Sequence, residues 1–392
     1  MTDTTIERQG QGDPKPQAGS AAPDENQALP TSPEQAKGLL TERLSSFLAS
    51  CGAADGDYSF TDFYYKLLDG AGDRDTSRIV TIVDMTELRK RRDFADLFME
   101  VNALKPKAVG VDVVFEGYKE EDLEGDTLLD MAVKQLQNFV FSYKIIDSME
   151  GETVHSFFTP SDSVTEGFTN MPRQLYGGMK RSVSIGRDVG GVVQPSFIKR
   201  VADIYAGQEV TALADKDLNI NFSPKYYRVV PYDSIFENRD LIEDHLVLIG
   251  AMKEEGDMHY TPQGKIAGVE LLVYAAETML MQSEIKHAST GVTIIVSFFV
   301  VFFSVILLSK YKDFTTKKKT LGHVLLSTSL VRGLLVCGWV SVIVWITFLL
   351  FCRYNYSISL VIAMSAIALI YMATNLYDSI KDIRLFKKNK ES

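Results

Sequence analysis

Three uncharged apolar runs in the last hundred residues constrain this chain more than anything that precedes them. The first, 288–308, reads ASTGVTIIVSFFVVFFSVILL. At 1.5 Å per residue, a helix of that length crosses the roughly 30 Å of a bilayer's hydrocarbon core. The second run covers 333–352 and the third 357–377, again without a charged side chain. One such run would fit the core helix of a soluble domain. Three in succession predict a transmembrane unit of three helices over 288–377, followed by a basic cytoplasmic tail over 378–392.

Lysine placement supplies the orientation. The link between the first two runs carries Lys310, Lys312, Lys317, Lys318 and Lys319, and the tail carries Lys381, Arg384, Lys387, Lys388 and Lys390. The link between the second and third runs holds only Arg353. The positive-inside rule then puts the basic link and tail in the cytoplasm and the large domain outside it. This is the expected topology of a multi-pass protein of a bacterial inner membrane. The sequence reading finds no N-terminal span or signal that would lead the domain across.

Net charge is −10, with acidic residues concentrated ahead of the apolar runs. A nucleic-acid partner is excluded, because it needs a concentrated basic face on the soluble part. Cys51, Cys337 and Cys352 give no disulfide framework for the main domain. Residues 1–36 are polar and rich in Pro, Gly and Gln, and read as a disordered tail. Residues 37–77 read as an amphipathic helical lead-in, with Tyr58, Phe60, Phe63, Tyr64 and Leu67 on one side of a helix. That side would pack on the domain or lie at the bilayer surface.

From 78 to 287 the chain reads as an α/β domain: a mostly parallel sheet with flanking helices. RIVTIVDM and KAVGVDVVF have the near-continuous aliphatic character of strands covered on both faces, with a helix between them ended by Pro106. Helix EGDTLLDMAVKQLQ and strand NFVFSYKII repeat the unit, which implies right-handed crossovers. A polar insert occupies 147–182. Further on, LNINFSP and DHLVLIGA read as strands and MKEEGDMHYTPQGK as a loop. A helix over 268–286 then runs with almost no linker into the first apolar run.

The succession VTIVDMTELRKRR, LKPKAVGVDVVF, LNINFSP and YDSIFENRDLIEDHLVLIGAMKEEGDMHYTPQGKIAGVELLVYAAETML resembles a CHASE2 sensory domain, over roughly 58–380. The resemblance implies an extracytoplasmic input module of a bacterial receptor, set ahead of three membrane helices and usually followed by an output domain. Here about fifteen residues follow the third run, so output is expected from a separate protein. Leu272 and Tyr274 stand where the family commonly continues with a histidine and an asparagine. A homodimer, a membrane or envelope protein partner and membrane lipid are the expected associations.

The resemblance maps onto Asp84, Asp112, Asn221, Asp257, Thr261, Pro262, Gly268 and Glu270. In a parallel sheet, ligands sit beyond the carboxyl ends of the strands. Asp84, Asp112, Asn221, Asp257, Thr261 and Glu270 are therefore the candidate ligand-binding set, converging on one crevice to hold a small solute or cation. The alternative is that they cap helices and tie loops. Asp112, flanked by Val111, Val113 and Val114, most needs a buried partner under that alternative. Arg332, bordering the second run, is the candidate membrane-interface residue. It either snorkels to headgroups or lies deep in the span.

Gly250 lacks the glycine-rich loop and the lysine–hydroxyl pair of a nucleotide site. His155, His245, His259 and His287 are scattered, so no metal is expected. Neither a cofactor nor catalysis is read. The expected function is a membrane-anchored sensor or scaffold that relays binding to its helices. The alternatives are a structural or assembly subunit of an envelope complex, and a small transporter or channel component.

Overall fold

The computed structural model describes residues 59–70, 74–159, 164–172, 178–316 and 328–390. The tail over 1–36 and most of the lead-in fall outside the described residues, as do Lys317, Lys318 and Lys319. Uninterrupted Val, Ile and Leu place three short strands at the centre of the main sheet. These are β1 (Asp75–Asp84), β2 (Ala108–Val111) and β10 (Leu246–Gly250), the latter two buried throughout. β10 is inserted between β1 and β2, parallel to both, with Leu246 opposite Val80 on one side and Ala108 on the other. Strands that read as neighbours in sequence are thus separated by one that begins 135 positions after β2 ends.

β3 (Phe139–Asp147) lies parallel to β2, and β9 (Lys225–Pro231) closes the far edge parallel to β1. The outer side of β3 is shared by β5 (Thr165–Phe168), parallel, and β4 (Glu152–Val154), antiparallel. The sheet is therefore mixed, with one antiparallel strand at its edge. The region read as a polar insert supplies both of those edge strands.

Each face of the sheet is covered. On one, α2 (Arg91–Ala103) and α3 (Leu123–Val133) pack through a phenylalanine cluster in which Phe98 lies 5.8 Å from Phe141 and 6.2 Å from Phe115. On the other lie α4 (Phe197–Ala206) and α5 (Gly268–Leu280). α4 starts at Ser196, whose hydroxyl accepts from the Lys199 amide, and stops at left-handed Gly207. The antiparallel sheet β7–β6–β8 (Val192–Pro195, Ser182–Val189, Lys216–Asn219) adds Ile185 and Leu218 to that second core. The LNINFSP segment thus begins within β8, in this smaller sheet and not in the parallel one.

Two readings of the last third are corrected. The segment after β10 is a hairpin, β11 (Met258–Thr261) against β12 (Gly264–Ala267), not an open loop. The helix expected to run from 268 to 286 ends at Leu280, and the chain turns through Gln282 at φ 50° before β13 (Lys286–His287). Gly250 serves close packing: a Cβ there would stand 2.6 Å from Cβ of Val269, so α5 starts hard against the strand.

Beyond β13 lie α6 (Thr290–Thr316), α7 (Ser329–Tyr354) and α8 (Val361–Lys390). Among the described residues two helices are long and apolar enough to cross a membrane, Thr290–Thr315 and Leu330–Tyr354, with mean hydropathy 2.8 and 2.5. The apolar part of the third stops short, at Val361–Tyr377. The expected run over 357–377 becomes helical only at Val361, and its first residue, Ser357, belongs to β14 (Tyr356–Ser357), which pairs in parallel with β13. α6 and α7 are joined by a hydrogen bond from Trp339 Nε1 to Ser304 Oγ, 2.8 Å.

Candidate functional site

At the carboxyl ends of β1, β10 and β2 the connections diverge. After β1 and β2 the chain passes to the α2–α3 face, and after β10 to the α5 face. A cleft of about 430 Å³ opens there, lined by residues that follow all three strands. This is where an open parallel sheet presents its ligand crevice. Asp84 ends β1 at its edge. Its carboxylate accepts from the amides of Thr86 (2.9 Å) and Met252 (3.2 Å), and the Thr86 hydroxyl accepts from Met252 as well (2.9 Å). Asp84 thereby staples the loop after β1 to the loop after β10.

Asp112 follows β2, its amide donating to the Ile249 carbonyl at 2.9 Å. Burial, and then the Asp257 carboxylate, push its carboxyl up to about 7, while Lys144 and His259 oppose the shift. Asp257 lies against Gly268, where a side chain would collide with its carboxylate. α5 has no side-chain cap of its own, since Ala267 is its N-cap residue. Asp257 sets negative charge at that helix start, where the backbone dipole favours it. His259 Nε2 is 3.4 Å from Asp257 Oδ1.

The other candidates lie elsewhere. Thr261 closes the β11–β12 turn, donating to the Gly264 carbonyl (3.0 Å) and accepting from the Gln263 amide (3.2 Å). Glu270 faces a separate recess with Tyr274, Tyr227 and Lys225, and burial raises its carboxyl. Asn221 lies at the membrane-helix junction: it accepts from the Ser223 amide and hydroxyl, and its Nδ2 donates to the Ser283 carbonyl (3.2 Å). Asp257 thus acts on Asp112 through its charge, Asp84 stands at a neighbouring strand end, and Asn221 and Glu270 lie apart. Arg332 lies in the first turn of α7 beside an apolar recess lined by Tyr311 and Trp339. Among the described residues no cluster of three or more His, Cys, Asp or Glu side chains forms a metal site.

The junction with the helices is built from residues the sequence reading did not single out as functional. Phe351, near the end of α7, is buried in the domain's own core, 5.2 Å from Tyr64 and 5.1 Å from Tyr65. Both tyrosines belong to α1 (Phe60–Gly70), and Tyr64 also shares a 2.7 Å hydrogen bond with Thr347. α1 is anchored to the domain by Asp62, which takes Arg181 at both carboxylate oxygens, 3.0 and 2.7 Å. β13 and β14 add amide bonds from Lys286 to Asn355 (2.8 Å) and from Ala288 to Ser357 (2.9 Å). The aromatic spacing over 58–67 was the available signal for α1, but sequence alone leaves its partner open between domain and bilayer.

A second missed group is Glu277 on α5. It is buried and takes Ser77 (3.2 Å), Tyr227 (2.9 Å) and Lys225 (3.0 Å) around one carboxylate. Its signal was a second acid, beside Glu270, among the apolar residues of GVELLVYAAETML.

The geometry is that of a mixed α/β sheet with a crevice at its divergence point, joined to long apolar helices through a buried aromatic joint. The chain belongs to the CHASE2 family: the model of the CHASE2 domain matches residues 45–309, more than half of its length. CHASE2 is a non-catalytic sensor family. No curated protein and no solved structure matches this chain.

Proposed function

We propose that this chain is a membrane-anchored sensor or scaffold whose CHASE2 domain lies outside the cytoplasm and relays ligand or partner binding to the membrane helices, with output supplied by a separate protein. The junction carries this reading. α6 leaves the domain through β13, and the end of α7 returns to it through Phe351 and β14. The domain thus grips the helices at a covalent exit and at a non-covalent return, so a shift between β13 and β14 moves one helix against the other. The return of α7 to the domain also supports full crossings by α6 and α7, with Lys310 and Lys312 near the opposite end. A crossing by α8 follows from the positive-inside placement of the tail.

Topology in intact bacterial cells tests the first half. Single cysteines at positions 161, 316 and 392, in a background freed of native cysteine, are exposed to an impermeant thiol reagent. Labelling at 161 alone is the expected pattern. Labelling at 316 and 392 with 161 silent, in spite of its reactivity after denaturation, overturns the extracytoplasmic placement. For the relay, a glycine–serine insertion after His287 is expected to abolish signalling, and unchanged output removes that role.

A further inference from the structure

The cleft at the strand ends has a chemistry that the candidate carboxylates did not suggest. Its walls are cationic and apolar. Arg89, Arg91, Lys119 and Lys253 line it against Glu116 and Glu254. The Arg91 charge is matched by Asp126, which leaves three lining cations facing two lining carboxylates, with Asp84 held at the edge by the Thr86 and Met252 amides. α2 begins at the cleft with Lys90 as its N-cap, no side-chain cap and Asp93 in its first turn, so the positive end of the helix adds to that surplus only in the part that Asp93 leaves.

Two arginines are preset. Arg89 Nη1 donates to the Thr86 and Leu88 carbonyls at 2.7 and 2.9 Å, which fixes it against the loop after β1. The Arg91 side chain is 4% exposed, donates to the Glu116 carbonyl at 3.1 Å and stacks on Phe157, yet its Nε has no hydrogen-bond partner. A buried donor in that state is costly and marks a place where an acceptor is wanted. The remaining wall is apolar, with Met85, Leu88, Phe94, Val113 and Phe115. A volume of about 430 Å³ falls in the size range of small-molecule sites.

We infer that this cleft binds a small organic monocarboxylate: the acid group meets Arg89, Lys253 and the start of α2, and an apolar body lies on Phe94 and Val113. Guanidinium groups suit a planar carboxylate. The narrow cationic surplus, with Glu116 and Glu254 at hand, selects against multiply charged anions. The inference deepens the sensor reading, but the site's existence does not depend on it.

Calorimetric titration of the full chain in lipid nanodiscs tests this, with phenylacetate and 4-methylpentanoate as probes. Both acids are expected to bind at millimolar concentration or below, and phenylacetamide at least about tenfold more weakly. Arg89→Gln and Lys253→Gln, both at exposed positions, are expected to weaken phenylacetate about tenfold each while leaving the circular dichroism spectrum unchanged. Ala251→Phe should block the cleft. Failure of both acids at millimolar concentration overturns the proposal, as does full affinity in both charge variants. Tighter binding of inorganic phosphate than of either acid overturns the ligand class. Binding without any change in amide exchange over 353–360 keeps the site and removes the relay.

Discussion

Asn221 and Asn355 meet side chain to side chain, Nδ2 to Oδ1 at 3.4 Å, although 134 positions separate them. Asn221 belongs to the domain; Asn355 caps the end of α7 in the left-handed conformation, φ 50°. The same residue that terminates α7 thus also ties it to the domain.

Asn355 has two separable jobs, and two substitutions separate them. Asn355→Gly keeps the left-handed cap and loses only the side-chain contact. Asn355→Ala loses both, at a further cost of about 1 kcal/mol. Hydrogen exchange at the Lys286 and Ala288 amides should rise modestly in the glycine variant and more in the alanine variant. Equal exchange in the two would assign the whole effect to the side-chain contact.

Phe351 is expected to behave as a core residue of the domain, not as a lipid-facing side chain. Phe351→Ala should destabilise the folded chain by about 3–5 kcal/mol. Tyr64→Phe removes one hydroxyl and should cost about 1 kcal/mol. Thermal unfolding in detergent reads both, and a Phe351→Ala change within error of wild type would contradict its burial.

Glu277 holds three partners around one buried carboxylate. Glu277→Leu leaves Lys225 without its ion pair and Tyr227 without its acceptor, a loss of about 3 kcal/mol. Glu277→Gln, which keeps an oxygen acceptor, should lose less. The two midpoints from denaturant titration give the order directly.

Asp112 makes stability depend on pH in a defined direction. Its folded carboxyl is pushed up to about 7, against 3.8 for an ordinary aspartate. Between those values the folded chain holds a proton that the unfolded chain has released, so the contribution is full below about 4 and is lost as pH rises through 7. Asp112→Asn removes this dependence and should raise the melting temperature at pH 8 more than at pH 5. A parallel shift at both values would deny the raised carboxyl.

The α/β character was legible because Val80, Val109 and Leu248 lie in runs that only a sheet covered on both faces can bury. The position of β10 between β1 and β2 was not legible, since nothing in a strand's own residues records which strand it pairs with. Asp112 stood out because three valines flank it; Asp257, whose charge raises its carboxyl, stands just before a hairpin whose MHYT and GKIA arms are too short and too polar to read as strands. Asn221 carried no trace of its link to Asn355, because long-range contacts leave no periodic signal. The third apolar run was overestimated at its start for a physical reason: Ser357 is uncharged, yet it serves a strand pairing, and the helix begins only at Val361.

The burial of Phe351 in the domain has a consequence for biogenesis. The aromatic pocket formed by Tyr64 and Tyr65 waits for a side chain that is 64 positions beyond His287. At about 5–20 residues per second that is a delay of about 3–13 s after the domain itself has been synthesised. During that interval the domain has an apolar socket open, and the docking of α7 is the step that closes it. Completion of the fold is therefore timed by the arrival of α7, and a delayed α7 would leave a domain with an exposed, chaperone-accessible surface.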